Sequence, residues 1–160
     1  MKANQGYRNI YEATCIRDGK VIWKETVKNL VVVEGLNHSL QMYFKGVNYT
    51  ASHFVGLKGA GPVVDSDTLA VHPGWDELIN YPGDRQPLVL SDAFQGSVTN
   101  ALNRAVFDIT IAGVAAGIFV SNTDSGTNGI LFGAVDFGAE RYLIPADQLI
   151  ITCTFTQASI

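Results

Sequence analysis

The chain has 160 residues, of which 47% are hydrophobic and only 16% charged, with a formal net charge of −4. That length fits one domain with a sizeable core, and the apolar content excludes a disordered chain. The acidic balance, without any Lys/Arg run, speaks against nucleic acid as a partner, because phosphates need a basic stripe to neutralise them; no apolar run reaches the ~20 residues of a membrane-spanning helix.

The N-terminal stretch MKANQGYRNIYEAT has no apolar h-region, so no secretory signal is expected and the chain should be made in the cytoplasm. The first clear unit is a hairpin, IYEATCI–RDGK–VIWKET, in which Asp18-Gly19 can supply the two positive-φ positions of a tight type I′ turn. Within its second strand Val21, Trp23 and Glu25 share one face and Ile22, Lys24 and Thr26 the other, so neither face is cleanly apolar. The residues up to 20 are read as an N-terminal arm with the first strand of the hairpin, and 21–160 as a single β-sandwich domain.

NLVVVEGLNHSLQMYFKG is the one segment with helical periodicity. Val33, Leu36, Leu40, Tyr43 and Phe44 recur at spacings of three and four, which predicts an apolar stripe laid against a sheet, with Gly46 as the stop. Gly35, Asn37 and Ser39 are poor helix formers, so the element must lean on tertiary packing. Beyond HFVGLKG the pattern is β throughout. RAVFDITIA, GIFVSN, GILFGAVDF, RYLIPADQ and LIITCTFTQ are separated by turn chemistry at Ala112-Gly113, Asn122 to Asn128, Gly138 and Pro145-Ala146-Asp147. One helix cannot serve as crossover for so many strands, so the expected fold is mainly β: an antiparallel β-sandwich with one short helix packed against it.

The stretch from His53 to Arg85 concentrates the residues able to carry chemistry. Asp65, Asp67 and His72 are the only acidic and imidazole cluster, but they lack the ligand order of a calcium loop, and Asp67 ahead of Thr68 reads as a turn cap. His38, His53 and His72 are scattered, no serine stands in a nucleophile elbow, and adjacent Asp76 and Glu77 cannot straddle one glycosidic bond. GLKGAGP lacks the lysine and hydroxyl that end a phosphate loop. No catalytic, cofactor or metal site is therefore assigned, and the chain is not read as an enzyme. Trp75, Tyr81 and Arg85 are types favoured at protein interfaces and are the candidate interface residues; alternatively, Trp75 anchors the loop to its own core while Arg85 pairs with Asp84 or Glu77. Trp23, Trp75 and Tyr81 could also form a stacking platform for a carbohydrate. Cys15 and Cys153 read as buried apolar residues, bridged only if the first and last strands become neighbours in a matching register.

The succession VVEGLNHSL, HFVGLKG, DSDTLAVHPGWDELINY, AVFDITIAG, GIFVSN, GILFGAVDF and LIITCTFT resembles a group of small virion proteins of tailed bacteriophages, over residues 21–157. Its best marker is the D-T-L-x-x-H-x-G-W-x-E arrangement, matched by Asp67, Thr68, Leu69, His72, Gly74, Trp75 and Glu77; Pro73 and the Ala146-Asp147 entry depart from the pattern. The resemblance implies a capsid decoration or cement protein: a jelly-roll-like sandwich on the outer surface of the head that binds the major capsid protein and itself, as homotrimer or homodimer. It implies a place in the virion at the capsid surface. A tail, neck or tail-fibre component is the alternative, and a carbohydrate-binding module the second. An N-terminal arm over residues 1–9 could add a strand to a capsid neighbour.

Overall fold

The computed structural model describes residues 7–47, 49–50 and 52–157, and its chain begins with the expected hairpin. Strand β1 (Tyr7–Arg17) turns at Asp18 (φ 50°) and Gly19 (φ 73°) into β2 (Lys20–Lys28). Two positive φ values in succession match the strand twist, which is why the Asp-Gly pair sits there. A short β3 (Leu30–Val31) leads into α1 (Val33–Lys45). Then follow β4 (Phe54–Lys58), β5 (Glu77–Leu78), β6 (Gln86–Pro87), β7 (Ser97–Thr99), β8 (Ala105–Asp108), β9 (Gly113–Ser121), β10 (Leu131–Leu143) and β11 (Gln148–Gln157).

Every pairing among the described strands is antiparallel. One sheet runs β2-β1-β11-β7, with β8 also on β11; the other runs β3-β10-β9-β4-β5, with β6 also on β4. Alternate residues of each inner face meet in one core: Tyr11, Ala13 and Cys15 from β1, Leu149, Ile151 and Cys153 from β11, Val55 and Leu57 from β4, Ile118 and Val120 from β9. The mainly β character and the two antiparallel sheets are as the sequence predicts. β1, the first strand of the hairpin, is an interior strand flanked by β2 and β11. Of the expected arm, residues 1–6 lie outside the described residues.

First and last strands do become neighbours, yet the register keeps their thiols apart. Tyr11 lies opposite Cys153 and Leu149 opposite Cys15, so the cysteines are four strand positions from one another, roughly 13 Å, and both are free and buried. Burial pushes the Cys15 thiol up to about 11 and that of Cys153 higher still. The predicted turn at Gly138 is a second correction. β10 continues through it, and the register against β9 shifts between Asp136 and Arg141, so the glycine serves a bulge rather than a chain reversal.

The largest correction concerns α1. Gly46 ends it in the left-handed region as expected (φ 62°), but the apolar stripe points away from the sheet. Val33, Leu36, Leu40, Tyr43 and Phe44 are exposed, while Gly35 and His38 are buried. The cause is close approach: a Cβ on Gly35 would collide with the Phe132 carbonyl, so only glycine lets the helix lie on β10 at this depth. Polar bonds fix the rotation. Glu34 accepts from the backbone N–H groups of Leu69 (2.9 Å) and Leu131 (2.7 Å), and His38 Nε2 meets Thr50 Oγ1 at 2.6 Å.

Gly35→Ala tests that contact. At an ordinary helical site the change adds about 1 kcal/mol of stability; here the collision is expected to lower stability by about 1–3 kcal/mol in urea denaturation. A second expectation concerns acid. Asp147 accepts two bonds from Arg17 (2.7 and 2.8 Å) and one from the Ile144 N–H (2.9 Å), tying the hairpin to the turn before β11. The Arg17 bonds, then the Ile144 bond, hold its carboxyl below the ordinary aspartate value. A depressed native pKa stabilises the fold above the unfolded value near 3.9 and ceases to do so as pH falls through the native one. Asp147→Asn should therefore lower stability at pH 7 and narrow the gap between unfolding midpoints measured at pH 7 and pH 3.

Candidate functional site

The segment between β4 and β6 closes over the outer face of the β4/β9/β10 sheet. Trp75 is its plug. Its ring lies 5.3 Å from Phe119 and joins Val32, Leu69, Leu131 and Ala134 in a second, smaller apolar cluster. Its indole N–H donates to Asp67 Oδ2 at 3.0 Å, and the same oxygen receives the Val64 N–H at 3.0 Å, so Asp67 caps its turn and holds the plug. His72 stacks on the indole at 4.0 Å, with Nδ1 2.8 Å from the Trp75 carbonyl. Glycines let the strands of the loop touch. Gly61, at φ 105°, packs against the backbone of Gly74 so closely that neither tolerates a Cβ.

Two buried cations bracket this apolar pair. Lys58 is fully buried; its ammonium bonds Asp136 (2.6 Å) and the carbonyls of Gly59 (3.0 Å) and Gly61, and lies 5.6 Å from the Trp75 ring centre. All three of its N–H donors are thereby used. On the other side, Arg85 forks onto Glu77 (2.8 and 2.7 Å), donates to the carbonyls of Thr123 (3.0 Å) and Gly126 (2.7 Å), and sits 5.0 Å over Phe119. In the succession Lys58, Trp75, Phe119, Arg85 two aromatic rings lie between two cations, each charge paired with a carboxylate. It welds the long loop to the sheet.

Trp75, Tyr81 and Arg85 are thus only 3%, 5% and 4% exposed. The interface expected of them has no side-chain area to use: Trp75 fills its own core, Arg85 pairs with Glu77, and Tyr81 packs edge-on against Phe107 at 4.6 Å. Nor do Trp23, Trp75 and Tyr81 make a stacking platform, since Trp23 is half-buried against Phe137 and under Arg141. Asp65, Asp67 and His72 do not converge, and among the described residues no group of three or more His, Cys, Asp and Glu side chains could hold a metal ion.

Large apolar side chains are exposed at several places, Val21, Val71, Phe94 and Leu102 among them, and two groups of them stand out. The first is the outward stripe of α1, extended past its cap by Val47 and Tyr49. The second gathers Ile79, Ile111, Val114 and Tyr142: Tyr142 lies opposite Val114 in the β10/β9 ladder, and the Ile111 N–H donates to the Asn80 carbonyl beside Ile79. α1 rests on the start of β10 and Tyr142 stands near its end, a separation of roughly 25 Å by strand rise. Between the sheets and α1 there is also a cavity of about 340 Å³, lined chiefly by Met42, Leu90, Val98, Phe132 and Phe155, with His38 and His53 at its wall. Its hydroxyls are bonded within the protein, Ser97 to Thr156 at 2.7 Å and Ser39 to the Gly35 carbonyl at 2.9 Å. Burial, and then the neighbouring His38, lower the pKa of His53.

The outward turn of α1 was hidden from the sequence, although the spacing Gly35, Ser39 does mark a small-residue face that could approach a sheet. No protein-family model and no curated protein matches the chain.

The loop clamp predicts a specific stability pattern. Arg85→Ala should cost about 3 kcal/mol in urea denaturation, because it leaves the Glu77 carboxylate and two loop carbonyls unpaired. Arg85→Lys should restore less than half of that, since a lysine cannot reproduce the fork onto Glu77.

Proposed function

We propose that the chain is a structural bridging protein, a decoration or cement protein of a tailed-phage head, whose partner is the major capsid protein. The observation that carries this reading is the pair of exposed apolar faces at opposite ends of one stiff sandwich. Solvent-exposed apolar patches of this kind are usual at association surfaces and unusual on a free monomer. Two of them at a fixed distance make a molecule that can hold two neighbours at once. Glu34 and His38 are spent on fixing the helix, and Lys58, Asp67 and Arg85 on fixing the loop, which suits a part that bears load rather than turns over a substrate.

The two antiparallel sheets and the central pairing of the first and last strands support the jelly-roll-like form of the sandwich. The weakly charged surface supports close contact with neighbours, because little charge needs desolvation there. A protein that binds only the assembled shell stabilises it by mass action, and repeated weak contacts on a lattice add through avidity. The virion, at the capsid surface, is the corresponding location.

The test is to incubate the labelled chain with expanded empty heads and image the particles. Many copies over the shell support decoration, whereas a few copies at one vertex assign the chain to the tail or neck and overturn it. Ile79→Lys with Tyr142→Glu should weaken head binding at least tenfold while leaving the thermal midpoint nearly unchanged, since both side chains are exposed.

A further inference from the structure

The two apolar faces are not alike, and α1 presents the more specific one. Val33, Leu36, Leu40 and Tyr43 follow one another at intervals of three, four and three, the seam spacing by which one helix packs on another, and Val47 lies just past the Gly46 cap. Tyr43, Phe44 and Tyr49 are 82%, 74% and 81% exposed. At about 200 Å² for a whole aromatic side chain, these three rings offer roughly 450 Å². Four aliphatic neighbours carry the face toward the ~800 Å² that each partner contributes to a standard interface. No charged side chain interrupts it, for the Glu34 carboxylate is bonded to the backbone of Leu69 and Leu131.

We infer that the occupant of this seam is a second copy of the chain, with the two α1 helices packed antiparallel across a two-fold axis through Leu40. This rests on the bridging reading, to which it adds which face holds the chain to itself. A seam of helical spacing fits a helix, and α1 is the only helix among the described residues. An isologous contact requires a patch complementary to its own rotated image. About Leu40 the rotation sets Leu40 on its own copy and Leu36 opposite Phe44, apolar on apolar at the centre, and Tyr43 opposite Asn37, where a phenol hydroxyl and an amide are matched polar groups. The antiparallel sense follows from bulk. Val33 and Leu36 make the N-terminal half thin and Tyr43, Phe44 and Tyr49 make the C-terminal half thick, so thick meets thin and the axes stay level, whereas a parallel pair would splay.

Sedimentation of the full chain over about 1–100 µM should give twice the 17.3 kDa chain mass at the upper end. Leu40→Cys should form a covalent dimer under mild oxidation, Leu102→Cys, more exposed but outside the seam, should not, and the buried native thiols should remain unreacted. Leu40→Glu with Tyr43→Lys should weaken association at least tenfold with an unchanged circular dichroism spectrum. A monomer at 100 µM, a mass of three chains, or a dimer in which Leu40→Cys stays uncrosslinked overturns the inference. A monomer whose Leu40→Glu variant no longer binds heads gives the seam to the capsid protein, overturning self-pairing but not bridging. A cross-linked dimer that ignores heads does the reverse.

Discussion

The contact between the Gly35 backbone and the Phe132 carbonyl determines what the rest of the molecule presents. A helix can rest on a sheet only along the face that fits. Here the face containing glycine comes close enough for Glu34 to reach two backbone N–H groups and for His38 to reach Thr50. Once those bonds form, rotation about the helix axis would break all of them together. The apolar side chains are left outside, and each large one that stays exposed forgoes about 1.5–3 kcal/mol of burial. Polar bonds thus set the orientation at the expense of hydrophobic gain, which makes α1 a surface for something else.

The loop from β4 to β6 serves the opposite end of the same logic. The outer face of a sheet that is not solvated must be covered, and here the cover is irregular chain with few backbone bonds of its own. Trp75 supplies apolar area, Asp67 fixes the indole, Lys58 satisfies carbonyls of the loop itself, and Arg85 ties it to the carbonyls of the β9–β10 connection. Buried cations are costly unless every donor is used, and in both residues the partners are carboxylates plus carbonyls. Such a network favours one arrangement of the loop over many. A sandwich whose helix and long loop are both pinned to the β10/β9/β4 sheet can hold two distant patches at a constant separation.

What the sequence disclosed was mostly local. The Asp18-Gly19 turn, the Gly46 stop and the strand segments depend on backbone preferences of neighbouring residues, and they stand where those preferences put them. The direction of α1 was not legible, because periodicity tells which residues share a face and not which face has a partner. Gly138 misled for a related reason: a glycine marks backbone freedom, and a bulge uses that freedom as readily as a turn does. Trp75, Tyr81 and Arg85 belong to types that anchor interfaces and also anchor loops, so composition could not choose between the two. For Cys15 and Cys153, adjacency of strands could be guessed, but register could not, and register decides whether sulfur meets sulfur.

If α1 pairs with its own copy, the geometry of bridging changes character. Each chain then has one free patch, around Ile79 and Tyr142, and the dimer carries two. Each patch stands roughly 25 Å from its own helix by strand rise, and packed helix axes lie about 8–10 Å apart, so the two free patches are held on the order of 60 Å from one another. No flexible linker intervenes along β10. Avidity for a lattice then depends on whether its repeat matches a fixed span: a matching repeat lets the second patch bind as an intramolecular event, and a mismatched one leaves each patch to bind alone. A rigid two-ended clamp of this kind discriminates between assembled forms of a shell by spacing, without needing a different contact surface on each.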